Sequence, residues 1–223
     1  MKREKFQAAV FDLDGTLLNT LEDLARSMNR VLKGHGLTTH PMDDYRYFVG
    51  DGARTLVKRA VPEHMRQDEK ALALCLKEFL EDYAANWDAN TSPYPDIPQM
   101  LEGLARMNIK LAVLSNKPHN FTRLCVKRYL GQWKFQAVLG ERPGIPRKPS
   151  PDGALEAARI MGVKPEKCIY LGDTSIDMKT AKAAGMFPVG VLWGFRDEQE
   201  LRESGAKLLI SRPRELLKFM EEG

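Results

Sequence analysis

Several things are scarce in this chain of 223 residues, and each scarcity narrows what it can be. Only three cysteines occur, Cys75, Cys125 and Cys168, scattered among apolar neighbours. That odd number without metal-ligand spacing argues against a disulfide framework or a zinc site, and points to packing roles in a reducing cytoplasm. No apolar run approaches the length of a membrane span, and the opening Met1-Lys2-Arg3-Glu4-Lys5 leads straight into strand-like residues, with no secretory leader pattern. Neither sign of charge is blocked together. A net charge of +4 spread along the chain gives no basic stripe for nucleic acid, and suits at most an anionic small molecule. Internal repeats and low-complexity tracts are absent too. What remains, 43% hydrophobic and 29% charged, is an ordinary globular composition with length enough for a sizeable core.

The hydrophobic pattern alternates, with one long interruption. Residues 6–12 read as a buried strand. From Leu17 to Asn90 the pattern is helical, with no convincing strand. Leu21, Leu24, Met28, Val31 and Leu32 keep helical spacing up to Gly34-His35-Gly36, a second helix covers 53–60, and a third runs from about 68 to 87. The prolines at 93, 95 and 98 mark the return from this insert. A βαβα rhythm follows, with strands at 109–114, 135–139, 168–171, 188–192 and 207–210. Helices are predicted near 118–130, 151–161 and 176–184, and at the end of the chain. Such alternation predicts an α/β fold, a parallel sheet with helices on both faces.

Chemistry-bearing residues stand where these strands end. Asp12-Leu13-Asp14-Gly15-Thr16 follows the apolar Ala8-Ala9-Val10-Phe11. Ser115-Asn116-Lys117 ends the second strand, Arg147-Lys148-Pro149 lies in the loop after the third, and Gly172-Asp173-Thr174-Ser175-Ile176-Asp177 ends the fourth. Singly, each has a bland reading. Asp and Gly make turns, Asp173 and Asp177 suit a helix start, Ser115-Asn116 could cap the next helix, and Lys148 could be a surface lysine. In a parallel sheet, however, all four segments converge on one edge, where ligands bind in open α/β folds. Carboxylates gathered there repel by about 4 kcal/mol per pair at about 4 Å and an effective dielectric near 20. Lys148 and a hard divalent cation such as Mg²⁺, which takes oxygen ligands and shares them with a phosphate, would relieve that repulsion.

These four ordered segments resemble the motifs of the haloacid dehalogenase superfamily over essentially the whole chain. Ser-Asn-Lys-Pro at 115–118 and Val-Gly-Asp-Gly at 49–52 are most similar to phosphoglycolate phosphatases and related small-molecule phosphatases. The resemblance implies a Rossmann-like parallel-sheet core from residues 1–16 and 94–223, with a small α-helical cap, 17–93, inserted after the first strand and hinged near 17–20 and 92–95. It implies that Asp12 attacks phosphorus and that Asp14 acts as acid and then base. Mg²⁺ would be held by Asp12, Asp14 through its backbone carbonyl and Asp173, with Asp177 in its inner or outer shell. Ser115, Lys148, Thr16 and Asn116 would hold phosphate. Arg54, after the flexible Gly50-Asp51-Gly52, is a candidate for meeting a substrate carboxylate, with an exposed helical arginine as its bland reading.

The implied activity is Mg²⁺-dependent hydrolysis of a small phosphate monoester through an aspartyl-phosphate, with 2-phosphoglycolate the leading substrate and a monomer or homodimer the expected assembly. Competing readings remain. Dehalogenases lack the second acid, here Asp14. Phosphomutases of the β-phosphoglucomutase type carry a histidine early in the first cap helix, where this chain has Leu24 and Ala25. Phosphonoacetaldehyde hydrolases need a cap lysine, for which Lys58 is a weak candidate. A phospho-receiver module also gathers acids, a hydroxyl and a lysine at a sheet edge, but needs neither a lid nor a leaving-group acid.

Overall fold

The computed structural model describes residues 6–222. Along the chain the elements are β1 (Ala8–Phe11), β2 (Leu18–Asn19), α1 (Leu21–Gly34), α2 (Tyr45–Phe48), α3 (Ala53–Ala60), α4 (Glu69–Asn86) and β3 (Ser92–Pro93). Then come α5 (Ile97–Arg106), β4 (Lys110–Pro118), α6 (His119–Leu130), β5 (Phe135–Glu141), α7 (Asp152–Met161), β6 (Cys168–Gly172), α8 (Ser175–Ala183), β7 (Phe187–Val191), α9 (Glu198–Glu203), β8 (Leu208–Ile210) and α10 (Arg214–Glu222). The chain divides into two compact units, Asn19–Ser92 and the rest, and crosses between them at the two-residue strands β2 and β3. The strands themselves are too short to leave a period-two pattern, so β2 went unread inside the segment 17–90 and β3 just beyond it.

The larger unit is a six-stranded sheet in the order β5-β4-β1-β6-β7-β8, with every adjacent pair parallel. All residues of β1 and β6 are buried, as expected where helices cover both faces of a parallel sheet. The chain leaves β1 toward β4 and β5, then returns to the opposite side of β1 for β6. Such a reversal opens a crevice at the carboxyl ends of the strands. Register brings Val10 beside Ala112 and Tyr170, so the ends of β1, β4 and β6 reach the same edge. Two helices of this unit escaped the sequence reading. One is α5, whose Pro98 lies in the first turn, where its missing N–H costs nothing; the other is α9, only six residues long.

The smaller unit is helical. α1 packs against α4, burying Leu24, Met28 and Leu32 from one and Leu72, Cys75, Phe79 and Tyr83 from the other. Asp68 caps α4 by accepting hydrogen bonds from the N–H groups of Lys70 and Ala71. At the far end of the unit, the buried carboxylate of Asp23 accepts from both N–H groups of Asn90 and Thr91, from the Asn90 amide at 2.8 Å and from the Thr91 hydroxyl at 2.8 Å. Replacing Asp23 by Ala leaves the buried Thr91 donors without that acceptor. A loss of about 3 kcal/mol is expected, read as a lower denaturant midpoint; a change below about 0.5 kcal/mol would contradict this role.

Candidate active site

The site is assembled within the larger unit by loops that leave the strand ends. Directly after β1, the carbonyl of Leu13 accepts hydrogen bonds from the N–H groups of Thr16, Leu17 and Leu18, which turns the chain sharply. Gly15 sits at φ +85°, and a Cβ there would meet an Asp173 carboxylate oxygen at 2.3 Å. The turn is thus both the bland reading and the chemical one: its tightness lets Asp173 approach the backbone.

Lys148 lies at the centre of the acids. Its Nζ is 2.9 Å from Asp12 Oδ1 and 2.7 Å from Asp177 Oδ1, with the side chain only 3% exposed. Burial works against its charge, but Asp12 and Asp177 outweigh that and raise its pKa above the ordinary lysine value. Burial pushes the Asp12 carboxyl well above the usual carboxylate range; Lys148 opposes this, while the charges of Asp177 and Asp173 add to it. Asp173 is driven up to about 7 by burial and by Asp177, against the Phe195 N–H and the Thr16 hydroxyl, which it accepts at 2.9 Å each. Asp177 combines two tasks. Its Oδ1 meets Lys148, and its Oδ2 accepts from the Thr174 N–H at 3.1 Å and hydroxyl at 2.7 Å, closing the first turn of α8.

A cation fits among these groups. One ligand oxygen each from Asp12, Asp173 and Asp177 lies within 4.8 Å of the others, all three residues buried. The Lys148 ammonium pairs with two of these carboxylates, Asp12 and Asp177, and burial together with the neighbouring acids raises the pKa of Asp12 and Asp173. The donors are all oxygen, which suits Mg²⁺, and neither His nor Cys is among them.

The structure redistributes other residues read as site groups. The Thr16 hydroxyl donates to Asp173 and so positions that acid. The Asn116 amide donates to the Lys148 carbonyl at 3.1 Å and accepts from the Lys148 N–H at 2.9 Å, a two-point clamp on the lysine's backbone. Ser115 lies inside β4, where its Oγ accepts from the Lys117 N–H; α6 begins only at His119, so Ser115 does not cap it. The Asp14 carboxylate stands apart from the three-acid group, paired with Lys117 at 3.1 Å. Arg54 pairs with Glu69 inside the smaller unit.

Two contributors were missed in the sequence. Lys117 was visible in the motif but was assigned no task. The segment Trp193-Gly194-Phe195 follows β7. Trp193 donates to the Thr16 carbonyl at 2.9 Å, Phe195 N–H binds Asp173, and a Cβ on Gly194 would meet Asp173 Cβ at 2.2 Å. Its signal was a glycine between two aromatics just past a parallel strand.

Comparison with known proteins agrees with this geometry. The family described as haloacid dehalogenase-like hydrolase matches residues 9–191. A phosphoglycolate phosphatase of Aquifex aeolicus is 32% identical over 212 residues, covering 95% of each chain. Phosphoglycolate phosphatase 1 of Pseudomonas aeruginosa is 31% identical over 212 residues, 93% of this chain and 77% of that protein. Among solved structures, a predicted phosphoglycolate phosphatase of Haemophilus somnus aligns with a TM-score of 0.89 at 27% identity, covering 97% of this chain and 99% of that one. In sequence and in fold, this chain belongs to the haloacid dehalogenase-like hydrolase family.

Proposed function

We propose that the protein is a Mg²⁺-dependent phosphatase acting on a small phosphate monoester, foremost 2-phosphoglycolate, through an aspartyl-phosphate. The observation that carries this reading is Asp12 itself: a buried carboxylate at the tip of β1, bonded to Lys148, with a second acid two residues on whose side chain faces another lysine. The substrate follows the printed names of the relatives.

In the first step an oxygen of Asp12 attacks phosphorus and the bond from phosphorus to the ester oxygen breaks. Asp14 gives its proton to the departing alcohol. In the second, Asp14 takes a proton from a water that attacks phosphorus, and the bond to Asp12 breaks to free inorganic phosphate. Ser115 and Lys148 hold phosphate oxygens throughout, Asn116 fixes Lys148, and Thr16 fixes Asp173. Held by Asp12, Asp173, Asp177 and the Asp14 carbonyl, Mg²⁺ would offset the charge that acids and phosphate share. Arg54 has no part in this scheme.

The test is phosphate release from 2-phosphoglycolate and a panel of sugar phosphates and nucleotides, with Mg²⁺ and after its removal by EDTA. Expected is turnover that disappears with EDTA and returns with Mg²⁺; a folded protein inert toward every ester overturns the reading. Mg²⁺ at about a hundred times its Kd should also add about 2.7 kcal/mol of stability, a rise in Tm of about 5–10 °C. The rise should be larger at pH 8 than at pH 6. Asp173 has a folded pKa raised to about 7, so its contribution is present when protonated and lost as pH rises through about 7, which leaves the cation more charge to neutralise.

A further inference from the structure

Lys117 and Lys148 are the two buried lysines among the described residues. Lys148 is committed to Asp12 and Asp177, where phosphate is held under the proposed function. Lys117 lies on the other side of the reaction: its Nζ is 3.1 Å from Asp14 Oδ1 and 3.4 Å from Oδ2, and its side chain is 3% exposed. A buried ammonium is costly to maintain, and an aliphatic residue would fill the same space more cheaply. Its backbone is fixed as well, since the Lys117 N–H donates to Ser115 Oγ and its carbonyl accepts from the Thr122 hydroxyl.

Resting on the phosphatase reading, we propose that Lys117 determines specificity by binding a carboxylate on the alcohol half of the substrate, and so selects phosphate esters of 2-hydroxy acids. The ester oxygen that leaves must come within hydrogen-bond reach of the Asp14 carboxylate, about 2.6–3.2 Å. Lys117 Nζ touches that same carboxylate. In a 2-hydroxy acid ester the carboxylate is separated from the leaving oxygen by a single carbon, so a leaving oxygen held at Asp14 brings the carboxylate within reach of Nζ, which touches the same acid. In a 3-hydroxy ester the additional carbon carries it past. Such a substrate also brings an extra negative charge toward Asp12, Asp14, Asp173 and Asp177, and Lys117 is the buried cation facing the alcohol side. By contrast Arg54, read from the sequence as the carboxylate partner, is 42% exposed in its side chain and paired with Glu69.

The experiment compares kcat/KM for 2-phosphoglycolate, 2-phospholactate, 3-phosphoglycerate and ethyl phosphate, which replaces the carboxylate of phosphoglycolate by a methyl group. For the wild-type protein, both 2-hydroxy acid esters should exceed ethyl phosphate by at least about 100-fold, with 3-phosphoglycerate well below them. In Lys117→Met the ratio of 2-phosphoglycolate to ethyl phosphate should fall by at least about tenfold, whatever happens to the absolute rates. An unchanged ratio with both rates reduced assigns Lys117 to holding Asp14 alone and overturns the inference. So does a wild-type enzyme that hydrolyses ethyl phosphate as well as 2-phosphoglycolate, a result that needs no variant to fold. A wild-type protein that releases phosphate from none of these or from p-nitrophenyl phosphate overturns the phosphatase reading instead.

Discussion

Asp12→Asn should reduce phosphate release by at least about 10⁴-fold while the protein stays folded. The carboxamide keeps an Oδ1 acceptor for the Leu13 N–H, now at 2.7 Å, and for Lys148 at 2.9 Å, so the local hydrogen bonds survive. It lacks an anionic oxygen able to attack phosphorus. It also removes one of three crowded carboxylates, one whose burial holds its pKa well above the ordinary range, so the metal-free variant should melt at or above the wild-type temperature. Loss of turnover without loss of stability separates a reacting group from a structural one. Substantial retained activity would refute attack by Asp12.

Lys148→Ala should damage both stability and turnover. Its ammonium is the cation that touches both Asp12 and Asp177, and the side chains of all three residues are at most 8% exposed. Removing one partner of a buried ionic cluster leaves uncompensated charge in a poorly solvated site, which costs about 3–5 kcal/mol. For a chain of 223 residues this corresponds to a fall in Tm of about 6–20 °C. Activity should fall by at least about 10³-fold, since the variant cannot neutralise phosphate oxygens at that position. Because the lost stability is electrostatic, added Mg²⁺ should restore part of it, whereas it cannot restore the lost phosphate contact. A variant that melts within about 1 kcal/mol of wild type in metal-free buffer would show that Lys148 does not carry the charge balance argued for it.

Much of the larger unit was legible because parallel sheets impose strong local signals. The strands β1 and β6 are continuous apolar runs, and each is followed at once by acids and glycine, so the site edge could be read from the order of segments. α3 coincided with its predicted span because its apolar spacing is regular and Pro62 lies just beyond it. Weak local signals were lost: β2 and β3 have two residues each, and α9 has six.

Within the site, residue type was legible and partnership was not. Thr16 and Asn116 were legible as polar groups at strand ends; that one bonds Asp173 and the other the Lys148 backbone was not. Residues 193–195 themselves carry no acid or base, and their part in the site shows only in the hydrogen bonds to Thr16 and Asp173.

The sequence alone determined the class of fold and the inventory of reactive groups, because hydrophobic periodicity is local and the motifs stand at strand ends whatever the packing. Only the tertiary structure decided which cation faces which acid. Asp14 and Lys117 are 103 residues apart, and their meeting depends on the register of β1 against β4, a long-range pairing that no window of sequence contains.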